Sequence, residues 1–464
     1  MLSAVAAQET RPNVLFIAID DLNACLESMN GETTIATPNI NRLAQQGTLF
    51  TNAHCAAPAC NPSRVAVMTG LAPATSGLYL NQQDWRESER LQTVTTLPQH
   101  FKNHGYKTLG GGKLYHAASL NPKMFAGYID TRPWDDYFPA VGTQLAPEVV
   151  PDHIPTNGSP DQYRGYMDWA ALDIEPAEMG DAKVVSWAEQ QLARTHNQPL
   201  FLAVGIYRPH IPWYTPRQYF DQHPLDEIEF PEILPNDLDD VPAAGQAMAR
   251  RHWHEWIASN DKWAEAIQGY NASVSFTDDM VGRLLTALQN GPLAENTVIV
   301  LWSDHGYHLG QKETWEKFAL WEQTTRVPLI VAAPGKFEVG VSSAAAVSLL
   351  DIYPTLNELC GLPTEESLDG TSLVSLMHDP VQATNRAIVI THGRENHAVR
   401  SADWRYIRYA DGSEELYDQR TDPKNFHNLA VLSDYAAIKS QLANHLPSFD
   451  APIDPVRESP LRKR

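Results

Sequence analysis

Cys60, Pro62, Ser63 and Arg64 stand together in the run Cys60-Asn-Pro-Ser-Arg64, which continues through Val65-Ala-Val-Met68 to Thr69 and Gly70. Pro62 suits the first turn of a helix, because its missing N–H would have no intrahelical partner there. The spacing therefore predicts Cys60 at or just before a helix N-terminus, where free N–H groups and the helix dipole favour negative charge. Arg64, roughly one turn further on, can point its guanidinium fork at the same anion. Taken alone, Cys60 reads as a buried cysteine ahead of a helix. The full pattern of Cys, Pro, Ser, Arg, Thr and Gly is far more restrictive.

Four apolar runs supply the groups such a site needs. Val14–Ile19 ends in Asp20-Asp21, and Tyr106–Leu109 leads through three glycines to Lys113 and His116. Leu200–Tyr207 is followed by Arg208-Pro-His210-Ile-Pro212, and Thr297–Trp302 by Ser303-Asp304-His305-Gly306. Short continuous apolar runs fit strands covered on both faces. Ligands in open α/β sheets collect outside the carboxyl ends of the strands, so these polar clusters are expected to share one cleft. Asp20, Asp21 and Asp304 offer hard oxygen ligands for calcium or magnesium. Asp20-Asp21 alone would read as a cap or turn, and the second acidic strand end favours the metal. His116 suits a base. His210 is held on a stiff turn between prolines, and a histidine there suits a general acid. Lys317, in Thr314-Trp-Glu-Lys317, reads by itself as an exposed lysine.

Cys60-x-Pro62-Ser63-Arg64-x-x-x-x-Thr69-Gly70 resembles the signature of the type I, formylglycine-dependent sulfatases. Asp20-Asp21-Leu22, Gly112-Lys113-x-x-His116, Pro209-His210-Ile-Pro212, Ser303-Asp-His-Gly306 and Trp315-x-Lys317 are similar to the iduronate 2-sulfatase branch and its bacterial relatives, from Pro12 to about Gly335. The resemblance implies an alkaline-phosphatase-like α/β sandwich, with a large mixed, mainly parallel sheet between helices and a small C-terminal α+β subdomain. It implies that Cys60 is oxidised by a formylglycine-generating maturase. It implies Ca2+ held by Asp20, Asp21, Asp304, His305 and the residue-60 oxygen. Arg64, Lys113 and Lys317 would stabilise charge on the sulfate oxygens, with His210 as acid toward the leaving alcohol and His116 as base.

The remaining chain is read as a scaffold. Its 464 residues, 43% hydrophobic and 20% charged, allow one large domain and a smaller one. We expect residues 11–378 to form the catalytic domain and 379–464 a C-terminal subdomain. In the latter, Arg386–Thr391, Ala398–Arg400, Arg405–Tyr409 and Glu415–Tyr417 alternate like antiparallel strands, ahead of a helix over 435–445. Helices are expected over 37–46, 97–103, 182–195 and 263–289, and Val327–Ala332 as a strand. Residues 117–181 and 216–242 read as loops. His252 and His254, two apart, do not share a helix face and do not form a zinc pair.

A formal net charge of −21 argues against nucleic-acid or anionic-membrane partners. It also repels a sulfated glycan at long range, so that substrate needs a locally basic pocket. Four cysteines allow at most one bridge once Cys60 is modified. No apolar run approaches the ~18 residues of a membrane span. Residues 1–10, with an Ala-x-Ala pattern, resemble a signal-peptide remnant and imply a periplasmic or secreted protein. Trp85, Arg86, Trp134, Tyr137, Arg208, His252 and Trp256 are candidates to line a sugar cleft. Two other functions compete. One is a phosphonate or phosphate ester hydrolase of the same superfamily. The other is a non-catalytic glycan-binding protein, which would have no need to keep Cys60, Arg64, Asp304 and His210.

Overall fold

The run Asn13–Ile19 is a strand, β1, buried along its whole length. Val14, Phe16 and Ala18 enter one apolar core and Leu15, Ile17 and Ile19 another, the two-residue period of a strand covered on both faces. The computed structural model describes residues 11–29, 35–118, 124–146, 157–158, 167–382 and 384–454. The signal-peptide-like segment 1–10 lies outside the described residues, as do 119–123, 147–156 and 159–166 of the expected loop region.

Along the chain follow α1 (Pro38–Ala44), β2 (Thr48–Phe50), α2 (Cys60–Thr69), α3 (Leu97–Asn103), β3 (Lys107–Gly112) and β4 (Asp136–Phe138). Next come α4 (Gly180–Leu192), β5 (Leu200–Ile206), α5 (Trp263–Gln289), β6 (Thr297–Ser303), β7 (Leu329–Ala332) and β8 (Val341–Ser343). These strands form one sheet in the order β8-β2-β7-β6-β1-β5-β3-β4. The run β6-β1-β5-β3-β4 is parallel, while β7 lies antiparallel to both β6 and β2. Val65, Val67 and Met68 of α2 and Leu97 and Phe101 of α3 close one face. Ile40 and Leu43 of α1, Val184 and Leu192 of α4, and Ile267, Tyr270 and Val274 of α5 close the other. The expected mixed, mainly parallel sheet between helices is what forms.

The strand does not end with the apolar run at Leu109 but continues through the glycines at 110–112. The reason is lateral crowding. Gly112 takes φ +71, and a Cβ there would strike the Gly205 carbonyl of the paired strand. A Cβ at Gly205 would in turn strike the Lys113 backbone. Overpacking of this kind costs about 1–3 kcal/mol, and here it would also displace a site residue.

At the C-terminal end, β9 (Ile388–Thr391), β10 (His397–Arg400), β11 (Trp404–Arg408) and β12 (Glu414–Asp418) form an antiparallel meander. Val399, Tyr406 and Leu416 on one face meet Leu442 of α6 (Ala436–Ala443). Ile388, Ile390, Ala398 and Ile407 on the other join the main core. A buried ion cluster fastens this sheet: Glu322 accepts from Arg405 Nη2 at 2.6 Å and from Arg400 Nε at 3.2 Å. Removing one partner from such a cluster costs about 3–5 kcal/mol, because a buried charge is left uncompensated. All four cysteines are buried and none is joined to another by a disulfide. Among the described residues no helix is long and apolar enough to cross a membrane.

Candidate active site

Four adjacent parallel strands deliver their next residues to one pocket. β1 gives Asp20 and Asp21, β6 gives Asp304 and His305, and β3 gives Lys113. β5 leads into the loop carrying His210, and α2 opens on Cys60. The turn after β1 is tightly held. Asp21 adopts φ 62, its amide donates to Asp304 Oδ1 at 3.2 Å, and its carbonyl accepts from the Tyr270 hydroxyl at 2.9 Å. Ser63 in the first turn of α2 donates to the Asp304 carbonyl at 2.5 Å, tying the helix start to the end of β6.

The Cys60 sulfur is the point of convergence. Lys317 Nζ lies 3.2 Å from it, His305 Nε2 3.3 Å and Asp20 Oδ1 3.6 Å, and His116 hydrogen-bonds the same side chain. Burial opposes ionisation of this thiol, but Lys317, Lys113 and His305 outweigh it and hold the pKa well below the ordinary thiol range. Lys113 pairs with Asp20 Oδ2, and Lys317 pairs with Asp21 Oδ1 at 2.6 Å. Arg64 is fully buried, with Nε 2.7 Å from Asp304 Oδ2 and Nη1 donating to the Lys113 carbonyl. Its guanidinium thus braces a carboxylate and the Lys113 backbone at once.

The two histidines near the carboxylates have defined ring orientations. His210 Nδ1 faces the Ile211 carbonyl at 2.6 Å, so that nitrogen donates and Nε2 faces the pocket, 4.0 Å from Asp21 Oδ2. His305 Nδ1 faces the Gly306 carbonyl at 3.0 Å, which turns Nε2 toward Cys60. Asp181 accepts from the Tyr207 and Arg208 amides at 2.8 and 2.9 Å and fixes the loop ahead of His210. Sequence reasoning missed Asp181 and Tyr270, since both act through backbone groups remote in the chain.

The donor set fits a cation. Ligand atoms of Asp20, Cys60, Asp304 and His305 lie within 4.8 Å of one another, as do those of Asp20, Asp21, Cys60 and His210. Asp21 Oδ2 is buried with no hydrogen-bond partner, an acceptor that a hard cation would satisfy. Burial, with Arg64 opposing it, raises the Asp304 carboxyl to about 7. Burial lowers His305, but Asp304 overrides it and lifts the imidazole to about 9.

A family model described as Sulfatase matches residues 12–362. The chain belongs to the sulfatase family. It is a sulfuric ester hydrolase, and a second model, described as N-sulphoglucosamine sulphohydrolase, C-terminal, matches residues 310–451. This sulfatase is 39% identical over 460 residues to a sulfatase from Formosa agariphila, covering 96% of this chain and 89% of the relative. It is 32% identical over 391 residues to human iduronate 2-sulfatase, covering 75% of this chain and 69% of the relative. A solved structure described as bound to its substrate D-glucosamine-2-N,6-O-disulfate shares the fold, with a TM-score of 0.72 at 19% identity over 94% of this chain and 96% of the other. The alkaline-phosphatase-like reading of the sheet holds.

Several aromatic residues read as sugar-facing do not reach the sulfatase pocket. Trp85, Trp134 and Tyr137 are core residues, and their polar tips go to the carbonyls of Tyr128, Asp130 and Gly112. Arg208 is also buried. His252 is exposed and Trp256 half-buried.

Proposed function

We propose that this sulfatase hydrolyses sulfate esters of a sulfated carbohydrate, with residue 60 carried as formylglycine and calcium held by Asp20, Asp21, Asp304, His305 and residue 60. The convergence of Lys317, His305 and His116 on the Cys60 sulfur, beside three buried carboxylates, carries the reading. Formylglycine supplies a hydrated aldehyde as nucleophile, and calcium supplies positive charge for the sulfate oxygens. Lys113 and Lys317, both buried, offset the remaining negative charge on the sulfate oxygens, where preorganised cations are most effective. Arg64 keeps Asp304 and Lys113 in register. His210 Nε2 delivers a proton to the departing alcohol, and His116 takes one from the residue-60 side chain. A glycan substrate draws support from the relatives named for iduronate and a disulfated glucosamine. The 1–10 segment, outside the described residues, supports a periplasmic or secreted location, with a maturase acting during synthesis.

The test is mass spectrometry of the Cys60 peptide from protein made with a maturase, together with sulfate release from a panel of sulfated glycans. Formylglycine with release from a glycan is the expected result. Unmodified Cys60 and no release from any sulfate ester would refute the reading. Stronger product inhibition by phosphate than by sulfate would favour the phosphonate or phosphate ester hydrolase instead.

Calcium must compete with protons on Asp304 and His305, which titrate at about 7 and about 9 without the ion. Binding therefore releases protons and weakens as pH falls through this range. The rise in thermal midpoint caused by calcium should be larger at pH 8 than at pH 6. An equal or reversed shift would remove these two residues from the ligand set.

A further inference from the structure

Immediately after Lys317, the backbone does something costly. Phe318, a bulky residue, sits in the left-handed region at φ 73, and its amide donates to the Pro58 carbonyl at 3.0 Å, just ahead of Cys60. Such outliers persist only where the surroundings over-determine them, and they concentrate at functional sites. The Phe318 ring is half-buried, with its centre 5.9 Å from Lys317 Nζ. The guanidinium of Arg250 covers the ring at 4.3 Å, and the ring of His392 lies 5.9 Å from it. Arg250 is also strained, at φ 47. Its side chain is 45% exposed while Nη1 pairs with Glu316 at 3.1 Å, and Glu316 is anchored in turn by Trp253 Nε1 at 2.8 Å. His392 begins the loop between β9 and β10, where Thr391 N donates to the Ala56 carbonyl at 2.9 Å, and its Nδ1 is buried with no hydrogen-bond partner.

These contacts describe an aromatic ring flanked by Lys317 on the nucleophile side and by a braced, half-exposed guanidinium on the other. Arg250 heads an exposed basic run with Arg251, which pairs with Glu313 at 2.5 Å, and His252, whose Nε2 lies 3.9 Å from Glu316, on a chain whose net charge is −21. A polyanionic substrate needs such a local basic patch to overcome the overall repulsion. We propose that Arg250, backed by Phe318 and faced by His392, binds a second anionic group of the glycan, a carboxylate or an additional sulfate next to the ester being cleaved. This inference rests on the glycan reading above. The planar guanidinium pairs with either oxyanion in two parallel hydrogen bonds while its other face remains stacked on the ring.

The experiment compares kcat/KM for wild type, Arg250→Ala, Arg250→Lys and Glu316→Gln. The substrates are a panel of uronate-containing and multiply sulfated oligosaccharides, their carboxyl-reduced or singly sulfated counterparts, and 4-nitrophenyl sulfate. Arg250→Ala should lose on the order of 10–100-fold on the anionic glycan, mainly through KM, and at least about tenfold less on the aryl ester. Arg250→Lys should fall between the two. The counterpart that abolishes the difference between wild type and Arg250→Ala identifies the anion, by carboxyl reduction or by removal of the second sulfate. Glu316→Gln breaks the same ion pair but keeps the guanidinium, so it should preserve the wild-type preference. Equal losses on glycan and aryl ester in Arg250→Ala, or the same loss of preference in Glu316→Gln, would overturn the inference alone. Wild-type hydrolysis of the aryl ester with no release from any glycan would overturn the glycan reading and this inference with it.

Discussion

Cys60→Ala should abolish sulfate release, with a loss of at least about 10^4-fold on every substrate, the scale on which removing a nucleophile acts. The size follows from how completely the pocket is built around one side chain. Lys317, His305 and His116 all point at the sulfur, so deletion leaves a set of charges with nothing to activate. The helix should survive, because α2 is started by Ala59 and held through Ser63 and Arg64 rather than through the thiol. Cys360→Ala is the matching control. Cys360 is buried in the core well away from these contacts, and its truncation should leave turnover intact. Substantial activity in Cys60→Ala, measured as released sulfate, would move the nucleophile to another group.

His210→Ala should separate substrates by their leaving groups. An alkyl or sugar alkoxide needs a proton as the ester bond breaks, whereas 4-nitrophenolate leaves without one. General acid catalysis contributes about 10^2–10^4-fold, so the loss on a sugar sulfate should reach that range while the loss on the aryl sulfate stays far smaller. The ring geometry makes the test sharp. Nδ1 is committed to the Ile211 carbonyl, which leaves Nε2 as the atom that can face the leaving oxygen. Equal losses on both substrates would refute the acid role and leave His210 as a partner of Asp21.

The parts of this architecture legible in the sequence are those encoded locally. β1, β5 and β6 are continuous apolar runs, and strand direction alone brings the polar residues that follow them to one end of the sheet, so their convergence is legible in the sequence. The three-residue strands β2, β4 and β8 were invisible, because so short a run carries no period and exists only through its neighbours. Aromatic residues misled in a consistent way. Trp85, Trp134 and Tyr137 have polar tips suited to sugars, but each tip is satisfied by a backbone carbonyl within the core. Arg250 and Phe318 lie far apart in the chain, and nothing local marks either as the other's neighbour. The same holds for Asp181, whose carboxylate serves amides contributed by a distant strand end.

The complete burial of Cys60 sets a deadline. Under the formylglycine reading proposed above, a maturase has no access to a side chain with no exposed surface, so the oxidation would have to occur before the chain closes over it. Closure requires β1 to pair with β5 and β6, whose residues are made long after Cys60 has left the ribosome. Such distant pairings form slowly. On that reading, the late synthesis of the flanking strands would keep residue 60 accessible for an interval, and the fraction of active molecules would be the outcome of a race between modification and folding. A substitution that speeds folding without touching the pocket would yield a more stable population containing fewer competent enzymes.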